Sequence, residues 1–242
     1  AALRAIKVPV VRRPGGCFAD QYNWRHGSGP ANRRISTVNV WGNVIEPNTF
    51  GTDEYMDFVS QIGSEAYISV NLGSRSPAEA AEWLEYLTTD QPSTLGKLRA
   101  ANGHPAPYRV KYLGLGNESW GCGGGLTGEE YVSELKRFGT FTHNLNPAQN
   151  GVVRWVKSPD AMEKIAVGPE SDKIEYTEAV MKAWTQRTPF CWDIDGLSLH
   201  FYTGGAKGVL QSPSTDFGED EYAGALKNTL RQAPDVIMIG EV

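Results

Sequence analysis

The alternation of short apolar runs with amphipathic segments is the feature that most constrains the fold of this 242-residue chain. Runs with the composition of buried strands predict strands at residues 8–12, 66–71, 110–114, 164–167, 196–200 and 236–239. Segments with helical periodicity predict intervening helices at residues 52–62, 77–88, 128–143, 177–187 and 219–231. This order is typical of a parallel sheet with crossover helices.

An open doubly wound sheet and a closed barrel share this order, so the polar residues that follow the strands decide between them. Residues 12–16, 71–74, 116–118 and 200–202 each follow a predicted strand. The carboxyl ends of parallel strands meet at one edge of a sheet, which is the catalytic face of a barrel. No single glycine-rich crevice for a dinucleotide stands out. We therefore predict an α/β fold of the (β/α)8 TIM-barrel type.

The composition fits one domain and excludes two classes of partner. With 40% apolar residues the chain can bury one substantial core, and we expect a single β/α-barrel domain over residues 1–242. The formal net charge of -5 gives no basic surface for nucleic acid and no polybasic run for a membrane. Nucleic acid and membrane partners are therefore not expected.

The three cysteines, Cys17, Cys122 and Cys191, are widely spaced and include no CxxC pair. This pattern indicates neither a disulfide framework nor a zinc site, so we expect no metal and a reducing, cytoplasmic location. Cys17 follows two glycines at a strand end, and we predict that it is a reduced pocket residue. A small buried apolar role is the alternative.

Glu118 is the candidate proton donor. It follows the strand at 110–114, lies beside Asn117, and has glycines on both sides that allow close approach of the backbone to a ligand. A glycosidase needs a carboxylic acid of raised pKa to protonate the departing oxygen, and an adjacent amide can hold a sugar hydroxyl. Asn-Glu pairs also cap ordinary loops, so both readings stay open.

Four further positions are candidates for substrate binding. His200 and Tyr202 lie on one face of an alternating strand and could line a polar pocket together, or serve structure alone. Trp41 could stack on a sugar ring or act as a buried anchor. Asn71, at the end of its strand, is a similar case.

A collinear series of motifs resembles glycoside hydrolase family 51, the α-L-arabinofuranosidases. It contains RPGGCFAD at 13–20, YNW at 22–24, WGNVIE at 41–46, NTFGT at 48–52, VNLGS at 70–74, GNE at 116–118, WGCGG at 120–124 and SLHFY at 198–202. The resemblance extends to about residue 231, and a series of this length in one order is highly specific.

The resemblance implies a (β/α)8 barrel and retaining hydrolysis of terminal non-reducing α-L-arabinofuranosyl groups of oligosaccharides and polysaccharides. It implies that Glu118 is the general acid/base and that no cofactor or metal takes part. A homo-oligomer of the parent protein is left open. Residues at positions that line the arabinose subsite in the family are Asn117, Cys17, Trp41 and Tyr202, with His200 close by.

The chain departs from the family at both ends, so we expect an incomplete barrel that lacks the first and last strands. The segment 230–242 instead resembles the acidic nucleotide-site strand of type II secretion and type IV pilus ATPases. Glu241 ends an apolar strand and is the candidate nucleophile, which must lie about 5 Å from the acid/base.

Three functions remain open from the sequence. The first is a retaining hydrolase, and the second is a catalytically inactive carbohydrate-binding barrel fragment. The third, a nucleotide-driven motor fragment, rests on the tail alone, since the chain has no GxxxxGK[ST] loop to bind phosphates.

Overall fold

A parallel sheet forms the centre of the computed structural model, which describes residues 2–151, 157–170, 173–188 and 191–200. Within these residues the strands, in chain order, are β1 Val10–Arg13, β2 Thr37–Asn39, β3 Val44–Glu46, β4 Glu65–Val70, β5 Tyr112–Leu115, β6 Glu163–Glu170 and β7 Gly196–His200. The parallel sheet has the order β1-β4-β5-β6-β7, and β2 and β3 form a separate antiparallel hairpin.

The strand order decides between the two α/β architectures. Each strand of the sheet pairs with the next one along the chain, in parallel register from β1 through β7. A doubly wound sheet reverses its order at a switch point, whereas a barrel adds strands in one direction. The five described strands add in one direction, as in part of a (β/α)8 barrel, so the predicted class of an incomplete barrel is confirmed.

Helices precede and connect the strands of the sheet. They are α1 Ala2–Ile6, α2 Thr52–Ile62, α3 Pro77–Thr88, α4 Thr94–Ala101, α5 Gly128–Phe141 and α6 Ile174–Thr185. Ser76 caps the N-terminus of α3, and Thr127 caps that of α5. Each side chain accepts a backbone N–H of the first turn, and a glutamate three residues later accepts the backbone N–H of the capping residue. Among the described helices, none combines the length and apolar content needed to cross a bilayer.

Two tyrosines on the helices hydrogen-bond to the backbone of neighbouring strands. The Tyr55 hydroxyl of α2 donates to the carbonyl of Val11 at 2.6 Å and accepts the Tyr67 N–H at 3.0 Å, so it bridges β1 and β4. In the same way the Tyr131 hydroxyl of α5 bridges the Leu115 carbonyl and the Val167 N–H of β5 and β6. Burial raises the pKa of both phenols, which therefore remain neutral hydrogen-bond partners.

The predicted elements agree with the structure in the regular segments. The helices at 52–62 and 77–88 and the strand at 196–200 have the predicted bounds, and the remaining described ones shift by a few residues. Helix α4 and the β2–β3 hairpin were not predicted, because both are short and lack a clear apolar period. The predicted helix 219–231 and strand 236–239 lie outside the described residues.

Candidate active site

Glu118 lies in a tight turn just beyond the carboxyl end of β5. Its φ is +42°, and Gly116 two residues earlier has φ +96°. Residues other than glycine rarely adopt positive φ, because the conformation costs free energy that the surrounding structure must outweigh. The backbone carbonyl of Glu118 accepts the N–H groups of Gly121 at 2.8 Å and Gly123 at 3.0 Å, which closes the turn.

The Glu118 carboxyl pairs with His200. Nδ1 of His200 lies 2.7 Å from Oε1 of Glu118, and both side chains are mostly buried, with 13% and 12% of their surfaces exposed. His200 ends β7 and Glu118 follows β5, so the contact crosses the end of β6. A neutral carboxyl can donate to this nitrogen and a carboxylate can accept from it, so the pair suits a group that changes its protonation state.

The side chain of Asn117 is held by Arg12 of β1. Its side-chain Oδ1 accepts from Nη1 of Arg12 at 3.1 Å, and its Nδ2 lies 3.9 Å from Sγ of Cys122. The residue is 1% exposed. Arg12 thereby determines which end of the amide faces each neighbour.

Asp20 belongs to the RPGGCFAD motif, but no role was predicted for it. Its Oδ1 accepts the N–H groups of Leu72 at 2.8 Å and Gly73 at 3.0 Å, and its Oδ2 accepts the Asn117 N–H at 2.9 Å. Burial raises its pKa to about 6, although these three bonds and Arg12 oppose that shift. A carboxylate following the first predicted strand was the one available signal.

A disulfide bond joins Cys17 to Cys122. The prediction that Cys17 is a reduced thiol, and that the cysteines form no disulfide, is therefore wrong. The two residues are 105 positions apart, yet their Cα atoms are 5.5 Å apart, because parallel strands bring the turns after β1 and β5 to one edge. Cys191 is free and exposed.

The disulfide lies against the candidate acid. Sγ of Cys122 is 3.5 Å from Oε2 of Glu118. The two sulfur atoms and a Glu118 oxygen are close enough together to resemble a metal-ligand cluster. Disulfide sulfurs are not thiolates, and the thiolate is the form that ligates metals, so these three residues do not offer a metal site.

The remaining predicted site residues are Trp41, Asn71, Tyr202 and Glu241. Trp41 lies in the turn between β2 and β3 and is 49% exposed. The Asn71 amide is buried and donates to the Tyr22 carbonyl, in the segment after β1, at 3.0 Å and to Ser74 Oγ, in its own loop, at 2.9 Å. Its contact with a sugar stays a prediction. Tyr202 and Glu241 lie outside the described residues.

Known proteins share the sequence of this chain. Residues 2–189 match the α-L-arabinofuranosidase 1 domain. A protein of Bacteroides ovatus named intracellular exo-α-L-arabinofuranosidase is 39% identical over 222 residues, 91% of this chain and 40% of that protein. α-L-Arabinofuranosidase C of Emericella nidulans is 40% identical over 120 residues, 50% of this chain and 24% of that protein.

Solved structures agree in fold. The family 51 arabinofuranosidase of Xanthomonas axonopodis pv. citri superposes with a TM-score of 0.74 at 40% identity, covering 96% of this chain and 43% of that one. The α-L-arabinofuranosidase of Thermotoga maritima in its arabinose complex gives a TM-score of 0.69 at 35% identity, covering 84% of this chain and 38% of that one.

The matches cover most of this chain but only part of each relative. The chain spans about two fifths of the length of the Bacteroides relative and of the Xanthomonas structure. They lend no support to the resemblance of residues 230–242 to secretion and pilus ATPases. With its domain match over residues 2–189 and its identity to these enzymes, the chain belongs to glycoside hydrolase family 51, the α-L-arabinofuranosidases.

Proposed function

We propose that this chain contributes Glu118 as the acid/base of a retaining α-L-arabinofuranosidase that removes terminal non-reducing α-L-arabinofuranosyl groups from oligosaccharides and polysaccharides. The observation that carries the proposal is the Glu118–His200 pair at 2.7 Å, held beyond the carboxyl ends of parallel strands. The relatives compared above are all named arabinofuranosidases, which supports the substrate class.

Glu118 would act twice in the reaction. In the first step its protonated carboxyl gives a proton to the departing glycosidic oxygen, and in the second its carboxylate takes a proton from the attacking water. His200 lies within hydrogen-bond distance of the same carboxyl and can partner both forms. Mostly buried surroundings strengthen these contacts relative to water.

The roles of the other site residues are also proposed. Glu241 is the proposed nucleophile, and a retaining reaction requires it to approach within about 5 Å of Glu118. The proposed contacts to the arabinose ring come from Asn117, Cys17, Trp41, Asn71 and Tyr202, with His200 beside them. Cys17 would contribute as half of a disulfide. Residues 1–242 are proposed to form one domain.

The test follows the reaction directly. The complete protein is incubated with 4-nitrophenyl α-L-arabinofuranoside, and release of the phenol and the anomer of the first-formed sugar are followed by absorbance and proton NMR. Turnover with retained configuration supports the proposal. Binding of arabinose without turnover would favour a catalytically inactive carbohydrate-binding barrel, and inversion would contradict the retaining mechanism.

We also propose a cytoplasmic location, because the relative from Bacteroides ovatus is named an intracellular enzyme. The Cys17–Cys122 disulfide is the observation that opposes it, because disulfides are rare in cytosolic proteins. Acid quenching of the cells that make the protein preserves its thiol state. A count of the free thiols per chain then tests the location and the disulfide together. One free thiol per chain would contradict a reducing compartment.

A further inference from the structure

We infer that Asp20 is a positioning residue for the acid/base, holding the backbone on which Glu118 is carried. The inference rests on the proposed function, because a positioning role has meaning only if Glu118 transfers protons. Asp20 ends the Gly16–Asp20 turn, which follows β1, and does not belong to the strand that carries Glu118.

The contacts of Asp20 converge on the backbone beside the acid. One carboxylate oxygen accepts the N–H of Asn117, which directly precedes Glu118, at 2.9 Å. The other accepts two consecutive N–H groups, of Leu72 and Gly73, in the loop after β4. A single side chain therefore joins the ends of three neighbouring strands, and the link next to Glu118 is a direct one.

The packing leaves Asp20 little freedom to move. The residue is 3% exposed. A Cβ atom on Gly73 would lie 2.9 Å from Cβ of Asp20, and one on Gly123 would lie 2.7 Å from its Oδ2. The backbone thus closes around the carboxylate on both sides, so displacement of the carboxylate would displace the turn that contains Glu118.

The Gly16–Asp20 turn holds the Glu118 turn at a second point. Cys17, three residues before Asp20, is bonded to Cys122, four residues after Glu118. The segment is therefore held at Asn117 by Asp20 and at Cys122 by Cys17, on either side of the acid. A non-glycine residue at φ +42° needs such support, because its surroundings must outweigh the backbone strain.

The electrostatic setting agrees with an ionised carboxylate at neutral pH. Burial raises the pKa of Asp20 to about 6, which leaves most of the group charged at pH 7. The charged or titratable groups that act on it or sense it are Arg12 on β1, which lowers its pKa, and Tyr131 on α5, whose own pKa it raises. An anion accepting three backbone N–H groups forms stronger bonds than an amide could.

The experiment compares three variants of the complete protein on two substrates. Asp20→Asn removes the charge and replaces one acceptor oxygen with an NH₂ group at nearly constant volume. Asp53→Asn is the matched control, because Asp53 is also buried but binds the hydroxyls of Tyr86 and Tyr108. Glu118→Gln reports on the acid itself. The readout is kcat/KM on an alkyl and on a 2,4-dinitrophenyl α-L-arabinofuranoside.

A misplaced acid matters only when the leaving group needs a proton. We expect Asp20→Asn to lower kcat/KM about 100-fold on the alkyl substrate and less than about tenfold on the dinitrophenyl one, the loss typical of a displaced catalytic group. Asp53→Asn should change both substrates equally. Equal losses for Asp20→Asn, with the leaving-group dependence kept in Glu118→Gln, would overturn the positioning role and leave the proposed function intact.

Two further outcomes have clear meanings. If Glu118→Gln shows no leaving-group dependence, the proposed function fails and the inference about Asp20 fails with it. If Asp20→Asn does not fold, hydrogen exchange of the unmodified protein replaces it. Strong protection of the Asn117 amide supports the contact, and exchange at the rate of an unstructured peptide overturns it.

Discussion

The imidazole Nδ1 of His200 lies 2.7 Å from the carboxyl Oε1 of Glu118, although the two residues are 82 positions apart in the sequence. The contact joins the ends of β7 and β5 across β6, so it exists only when these strands are assembled. A proton donor that must return to its protonated form in every cycle is thus given a partner that can both donate and accept.

The His200–Glu118 contact can be tested by changing the histidine. We expect His200→Ala to lower kcat/KM on an alkyl α-L-arabinofuranoside by about 10- to 100-fold, within the range of general acid–base contributions. His200→Gln, which keeps a donor and an acceptor, should lose less. An unchanged kcat/KM in His200→Ala would show that the contact has no part in proton transfer.

The disulfide predicts a difference among the three cysteines. Under native, non-reducing conditions only Cys191, which is free and exposed, should react with iodoacetamide, and reduction should add two more labelled sites. Cys17→Ala should lower the free energy of unfolding by about 2–5 kcal/mol, the usual cost of losing a native disulfide. Cys191→Ser serves as control. Labelling of all three cysteines before reduction would contradict the pairing.

Two glycines in the Glu118 turn form a matched pair. A Cβ on Gly123 would lie 2.0 Å from the Asn117 carbonyl oxygen, whereas a Cβ on Gly121 would approach Glu118 O no closer than 3.7 Å. We expect Gly123→Ala to lower the free energy of unfolding by about 1–3 kcal/mol and to reduce activity, and Gly121→Ala to change little. Thermal unfolding of both variants measures this, and equal behaviour would contradict the packing.

The buried charge of Asp20 predicts a pH dependence of stability. Its pKa rises from 3.8 to about 6 on folding, so the folded state binds this proton more tightly. Over that interval its contribution to the free energy of unfolding falls as pH rises, by ~3 kcal/mol in total at ~1.4 kcal/mol per pKa unit.

Urea unfolding of the unmodified protein and of Asp20→Asn from pH 4 to pH 7 isolates this contribution, because the other titrating groups are common to both. The difference in free energy of unfolding should move in favour of the variant as pH increases. A difference independent of pH would show that Asp20 keeps its ordinary pKa in the folded protein.

The regular helices and strands, and the site residues that directly follow strands, could be predicted from the sequence. These features depend on local periodicity and on position along the chain. Glu118, Asn117 and His200 were placed at strand ends, and the structure brings all three to one edge of the sheet. Those predictions needed only the rule that parallel strands end on the same face.

The contacts that join distant turns could not be predicted from the sequence. The Cys17–Cys122 bond spans 105 positions, and the spacing of the cysteines gives no sign of it. Asp20 is an ordinary loop aspartate in sequence, and its role emerges only when the ends of β4 and β5 are beside it. The hairpin that carries Trp41 packs no long apolar face, so periodicity did not indicate it.

The central claim is that Glu118 is the acid/base, and the most direct test is the leaving-group dependence of Glu118→Ala in the complete protein. kcat/KM reports the first, bond-breaking step, in which proton donation matters only for a basic leaving group. We predict a loss of at least about 1,000-fold on an alkyl α-L-arabinofuranoside and of less than about tenfold on the 2,4-dinitrophenyl one, within the range of general acid catalysis. Equal losses on the two substrates would contradict the account.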